Sequence, residues 1–295
     1  MASTTAAVGN DNGVAPRPPG FWRKALRHGL VISGGSIVLL LALAAVFGSL
    51  IAPHDPNVMD FSARFAPPSL AHLFGTDEFG RDLFSRILHG ASVSVKVAFI
   101  AVGISSVAGV TLGLFAGYSG GWVDEIVMRI MDIFFALPAV LLAIVVMAIL
   151  GRGVENAMIA IAIVYAPIFA RVTRGAVIAV RDREFVNAAR ALGQGRLRIM
   201  FAHVLPNALG PIIVQTSLSL AFAILAEAAL SFFGLGTQPP DPSWGRMLSE
   251  GRAYLRQAPW MGIFPGLAIM ASVLGFNLLG DGLRDVLDPR YRGRS

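Results

Sequence analysis

Six long stretches of this sequence contain no Asp, Glu, Lys or Arg: residues 30–52, 97–123, 133–151, 156–170, a run within 199–226, and 257–280. A helix crossing the hydrocarbon core of a bilayer needs about 20 consecutive apolar residues. The fourth stretch reaches that length by running on to Val180, with Arg171 and Arg174 snorkelling to one interface. The fifth is expected to start after Pro206. Charged residues make up 14% of the chain, whereas a soluble domain carries about 25%. The sequence therefore predicts an all-α integral membrane protein with six transmembrane helices, near residues 30–52, 93–117, 128–150, 156–180, 208–233 and 260–280. The first stretch follows Arg23, Lys24 and Arg27, but it is longer than the roughly 7–15 apolar residues of a cleaved signal peptide. It is expected to stay as the first span, behind a cytoplasmic tail (residues 1–28) whose residues 1–20, rich in Ala, Gly, Pro and Thr, read as disordered.

The basic residues set the expected orientation. With the N-terminus inside, 16 of the 24 Lys and Arg residues fall on the inner face, while the outer face carries eight basic and eight acidic residues. Excess positive charge on the cytoplasmic side is the usual pattern, so both termini are expected to be cytoplasmic. The net charge of +6 is then an inner-face surplus and calls for no nucleic acid. With no cysteine in the chain, thiol catalysis, disulfides and Cys-based metal clusters are excluded.

The inner loop, residues 181–207, carries the most information. Phe185, Ala188, Ala189 and Leu192 fall at i, i+3, i+4 and i+7 and draw an apolar stripe along a helix whose other faces bear Arg181, Arg183, Asn187 and Arg190. Gly193 and Gly195 end that helix, and a second stripe of Leu197, Met200, Phe201 and Val204 follows before Pro206. Two readings are open: the stripes pack on the chain's own spans, or they dock a partner.

A resemblance bears on the choice. Ala188-Ala189, three residues, Gly193, and then Leu205-Pro206 resemble the EAA loop of permease subunits of ATP-binding-cassette importers (Glu-Ala-Ala-x3-Gly-x9-Ile-x-Leu-Pro). Asn187 stands at the Glu position and His203 at the Ile, while Glu184 lies earlier, as is common in the peptide-importer branch. Phe74-Gly75-Thr76-Asp77 with Gly80-Arg81-Asp82, the run at residues 227–236 with Ser243-Trp244-Gly245, and Asp281-Gly282-Leu283-Arg284-Asp285 with Asp288-Pro289-Arg290 are similar to the C-type subunits of dipeptide and oligopeptide importers. The resemblance spans about residues 20–293.

It implies the type I importer permease fold over residues 29–295, in the bacterial cytoplasmic (inner) membrane. The implied activity is inward translocation of di- or oligopeptides. The partners would be a second homologous permease, two cytosolic ATPase subunits, an extracytoplasmic binding protein and membrane lipid. The EAA residues Glu184, Phe185, Asn187, Ala188, Ala189, Leu192, Gly193, His203, Leu205 and Pro206 would couple to the ATPase. Nickel or another small solute is an alternative cargo, and an ion-driven secondary transporter is the alternative from another class. No inverted repeat or cluster of intramembrane carboxylates favours the latter. The only lysines, Lys24 and Lys96, lie outside any Gly-x4-Gly-Lys loop, so ATP chemistry is assigned to a partner. No catalytic, cofactor or metal residues are expected, and the five histidines show no ligand spacing.

Elsewhere, residues 75–90 read as a short interfacial helix capped by Thr76 and ended by Gly90. Its pairs Asp77/Arg81 and Asp82/Arg86 would be worth about 0–1 kcal/mol if exposed. Glu227 is expected near the outer end of the fifth span, hydrated or paired with an outer Arg. Gln215, Ser219, Glu227 and Asn277 are candidate pathway groups. Asp124, Glu125 and Asp132 are expected to pair locally with Arg129, and Pro138 and Pro167 to kink helices.

Overall fold

The computed structural model describes residues 24–287. Residues 1–23 of the expected tail and the motif residues Asp288, Pro289 and Arg290 lie outside them. The principal helices are α1 (Gly29–Ile51), α2 (Leu83–Ser119), α3 (Gly121–Phe135), α4 (Ala139–Leu150), α5 (Val154–Arg181), α6 (Glu184–Ala191), α7 (Arg196–Phe232), α8 (Trp244–Gly251) and α9 (Trp260–Leu287). Five of these helices are long and apolar enough to cross a membrane, and the pair α3–α4, bent by 90°, brings the number to six when it is counted as one span. Among the described residues there is no sheet, only an isolated antiparallel bridge between Thr76 and Asp82. That fits hydrocarbon, where a helix satisfies every backbone polar group within itself.

α2 runs the full height of the bundle, and its two ends define two regions. At its C-terminal end lies α6; at its N-terminal end lies α8. Both described ends of the chain lie at the α6 end, where His28 sits 3.5 Å from Asp285.

The centre of the bundle is the seam between α2 and α5. Gly109, Gly113 and Gly117 line one face of α2, and a Cβ on Gly109 or Gly113 would collide with the backbone of Ala166 or Ala170. Apolar association gains little in lipid, so packing depends on such close approach of small residues. Phe169, Ala160 and Ile161 of α5, with Ala98 and Ala101 of α2, fill the buried core alongside Ala221 and Ile224 of α7. α1 leans on this core through Gly34, against Leu279 of α9, and Gly48, against Leu88 of α2.

Two expectations are corrected. The span at residues 128–150 is not one helix: α3 and α4 meet at 90°. Pro138 sits at the break with ψ 137°, and a proline both removes an N–H donor and drives its preceding residue from the helical region. The separate helix at residues 75–90 does not form either. α2 starts at Leu83, capped by the Asp82 side chain, which accepts from Ser85 N. Thr76 instead accepts from Ala66 N (2.8 Å) and donates to Ala63 O. Gly90 is inside α2, where a Cβ would stand 3.1 Å from the Trp244 ring.

If the α2–α5 seam holds the bundle together, Gly113→Leu should lower the thermal midpoint of the detergent-purified chain sharply. Overpacking a tight contact costs about 1–3 kcal/mol. Gly103→Leu, with nothing within 4 Å of its added Cβ, should melt like the wild type.

Candidate functional site

The α6 end carries a rigidly mounted knob. α6 closes with Gly193 at φ 74°, and the Gly193 N–H donates to Arg190 O while Gln194 N–H donates to Ala189 O. This pair of bonds is the left-handed helix stop that glycine adopts without a Cβ clash. The next helical stretch begins at Arg196, passes through a π-helical turn at Ile199–Val204 and continues as the long helix of α7. Val186 and Ala189 face inward and join Leu114, Val177, Ile199, Met200, Val204 and Ala208 in a second buried cluster.

The apolar stripe read from the sequence does not pack on the chain's own spans as a whole. Ala189 is buried, but Phe185 is 43% and Leu192 80% exposed, and Ala188 is exposed with them. The second stripe divides the same way: Met200 and Val204 are buried while Leu197 and Phe201 are open. The knob thus buries one face and leaves a second apolar face uncovered within this chain. Leu205 is half-buried and Pro206 exposed at the start of the long helix.

Arginines bolt the knob to the spans. Arg181 donates to Gly117 O (2.6 Å), Arg196 to Ser119 Oγ (2.7 Å), and Arg190 to Arg181 O and Asn187 Oδ1 (3.0 Å each). Arg190 and Arg196 both stand over the Tyr118 ring. His203 Nε2 meets Gln194 Oε1 at 2.8 Å, tying the two helices of the loop across the glycine break. Glu184, exposed in the first turn of α6, suits the positive helix end. Nearby, Asp124 pairs with Arg174 and Asp132 with Arg171, not with Arg129 as expected. The bent α3 is thereby clamped onto α5.

At the α8 end the charged residues are buried, contrary to the expectation of exposed pairs. Asp77 is 2%, Arg81 6% and Arg86 1% exposed. Arg81 Nε meets Asp77 Oδ2 at 2.6 Å, and both arginines reach Glu250 of α8, at 3.5 Å from Arg81 and 3.6 Å from Arg86. Arg86 also donates to Pro56 O (3.0 Å), and Arg246 holds Glu250 at 2.8 Å. Burial raises the Glu78 carboxyl above its ordinary range. Trp244 Nε1 donates to Ile87 O and Trp260 Nε1 to Thr76 O, each at 3.0 Å, closing the cap over α2. Asp82 turns away from Arg86 and faces His54 and His72. The histidines are therefore not all scattered, a grouping that no spacing in the sequence reveals.

Of the candidate pathway groups, Gln215 donates to Ser219 one turn along α7 (3.0 Å). Glu227 is neither hydrated nor paired with an Arg: it is 1% exposed and accepts from Ser94 (2.8 Å) and Ser231 (2.7 Å). Ser231 Oγ in turn accepts from Thr237 N (3.1 Å), so this carboxyl ties α2 and α7 to the segment leading to α8. Asn277 lies apart, in the wall of a lateral apolar cavity of about 630 Å³ between α7 and α9, beside Ala229, Phe232 and Val273. The four groups do not converge on one site.

A bundle of this kind, with a helix–glycine–helix knob at one end, is the fold of an ATP-binding-cassette importer permease. An inward-facing crystal structure of the MetNI methionine ABC transporter superposes with a TM-score of 0.54 at 21% identity, covering 70% of this chain and 96% of that one. The chain belongs to the family described as binding-protein-dependent transport system inner membrane component, whose model matches residues 109–293; the model for the N-terminal TM domain of oligopeptide transport permease C matches residues 20–68. The dipeptide transport system permease protein DppC of Alkalihalophilus pseudofirmus is 50% identical over 92% of this chain and 90% of its own. The di/tripeptide permease protein DppC of Pseudomonas aeruginosa is 46% identical, covering 92% of each chain. The probable D,D-dipeptide permease protein DdpC of Escherichia coli is 45% identical over 90% of this chain and 89% of its own. The chain is a multi-pass inner-membrane transport subunit, not an enzyme. It works with ATPase and substrate-binding partners, and the ATPase activity resides in those partner subunits.

Removing one member of a buried ion network strands the others and costs about 3–5 kcal/mol. Arg86→Met is therefore expected to lower the thermal midpoint of the purified chain strongly. Asp182→Asn, in an exposed pair with Arg181, should leave it within the range of about 0–1 kcal/mol. Equal melting of the two variants would contradict the network's role.

Proposed function

We propose that this chain moves short peptides inward across the cytoplasmic membrane, on energy from two ATPase subunits that seat against the α6 knob. The observation that carries the reading is the uncovered apolar face of Phe185, Ala188 and Leu192 on a helix whose opposite face is fixed to the spans. Such a face suits a groove in a partner, and its mounting lets a push on the knob travel into α2, α5 and α7. Both described ends of the chain lie at the same end of the bundle as the knob. The surplus of basic residues there supports a cytoplasmic placement with both termini inside. A second, homologous permease would complete the pathway, and an extracytoplasmic binding protein would deliver cargo at the α8 end. Residues 29–295 would form this permease domain, with residues 1–28 as its cytoplasmic tail.

The named relatives' cargoes, dipeptides, di/tripeptides and D,D-dipeptides, share the chemistry of a short peptide, which favours peptide over nickel or another small solute. Gln215, Ser219, Glu227 and Asn277 stay as candidate pathway groups, with Glu227 acting through structure rather than by touching cargo.

Cells carrying the chain and its partners should take up a labelled dipeptide and lose that uptake when the chain is deleted, with uptake of a labelled nickel chelate unchanged by the deletion. Loss of chelate uptake alone would overturn the substrate class. Gly193→Pro cannot adopt the positive φ of the helix stop. It is expected to abolish uptake while the subunit still reaches the membrane. Leu192→Asp should do the same by charging the uncovered face. Normal uptake by both variants would remove the coupling role of α6.

A further inference from the structure

His54, just beyond α1, His72, in the loop that follows, and Asp82, the cap of α2, converge at the α8 end. One ring nitrogen from each histidine and a carboxylate oxygen lie within 4.8 Å of one another. We propose that these three residues bind a divalent transition-metal ion of the zinc type, which clamps the end of α1 and the loop to the start of α2.

The donor set fits such an ion. Imidazole nitrogens suit zinc, copper and nickel, whereas magnesium and calcium take oxygen ligands almost entirely. In a tetrahedral site with bonds of about 2.0–2.1 Å, ligand atoms stand about 3.3 Å apart. The contacts here bracket that spacing, with His72 Nδ1 at 2.9 Å from Asp82 Oδ1 and His54 Nδ1 at 3.7 Å from Oδ2. The two imidazoles lie with centroids 5.0 Å apart and planes tilted by 32°.

Charge balance points the same way. Asp82 is 3% exposed, and the only basic side chains paired with it among the described residues are these two histidines. Its neighbour Asp77, by contrast, has two arginines. A buried carboxylate needs a counter-charge, and a divalent ion supplies it. The outer shell is already in place. Ser85 donates to Asp82 Oδ2 through both N (2.8 Å) and Oγ (2.7 Å), and its hydroxyl accepts the His54 backbone N–H at 3.1 Å. Such bonds hold a ligating carboxylate in one orientation. The half-exposed His54 ring leaves an edge open for entry of the ion and for a water as fourth ligand.

The full chain, purified in detergent and stripped with EDTA, is titrated with Zn2+ against a chromogenic chelator. One ion per chain is expected, and the His54→Ala/His72→Ala double variant should bind at least about 10-fold more weakly. Zn2+ should also raise the thermal midpoint of the wild type but not of His54→Ala, whose half-exposed side chain can be removed without opening the core. Co2+ in place of Zn2+ should show the absorption of a tetrahedral nitrogen and oxygen site. Equal binding by the double variant overturns the proposal, as does absence of Zn2+ binding by the wild type, or loss of binding only in His28→Ala, which would place the ion at the His28/Asp285 pair.

Discussion

The close approach of α2 and α5 is the interaction on which the rest of the structure depends. In lipid, two helices gain little from burying leucines against each other, and contact through small residues takes over. Gly109 and Gly113 bring the α2 backbone against that of α5. α2 then spans the height of the bundle as one continuous strut, with α6 at one of its ends and α8 at the other.

The two ends use that strut differently. At the α8 end, charge is turned inward: Asp77, Arg81, Arg86 and Glu250 neutralise one another out of water, and Trp244 and Trp260 close the cap with hydrogen bonds to the backbone. At the α6 end, arginines reach across to carbonyls and to Tyr118 and pin the knob from its flanks, leaving its apolar face open. One end is a sealed cap and the other a mounted contact surface. This division suits a subunit that meets a delivery protein on one side and an ATPase on the other.

Much of this was legible in the sequence, because its periodicities have local causes. Five of the six charge-free runs lie largely within one long helix each, the run at 133–151 being split at Pro138, and Gly193 marks the end of α6. The rest depended on partners distant in the chain. Asp77 and Arg86 read as members of exposed pairs because Glu250, which they share a network with, arrives from α8. Glu227 found Ser94, 133 positions away, rather than an outer Arg. The α6 stripe is apolar as its spacing implies, but periodicity records that a face is apolar, not what covers it. Here Val186, outside the stripe, took the buried position with Ala189. His54, His72 and Asp82 share no repeat at all, and only the fold of the loop between α1 and α2 brings them together.

The central claim, that the uncovered face of α6 receives the ATPase, is tested most directly by a photo-crosslinking side chain placed at Leu192 in membranes containing the whole transporter. The account predicts a crosslink to an ATPase subunit whose yield changes with bound nucleotide, and none from the same probe at the exposed Phe79 of the opposite end. A probe at Leu192 that captures only lipid or this chain's own spans would contradict it.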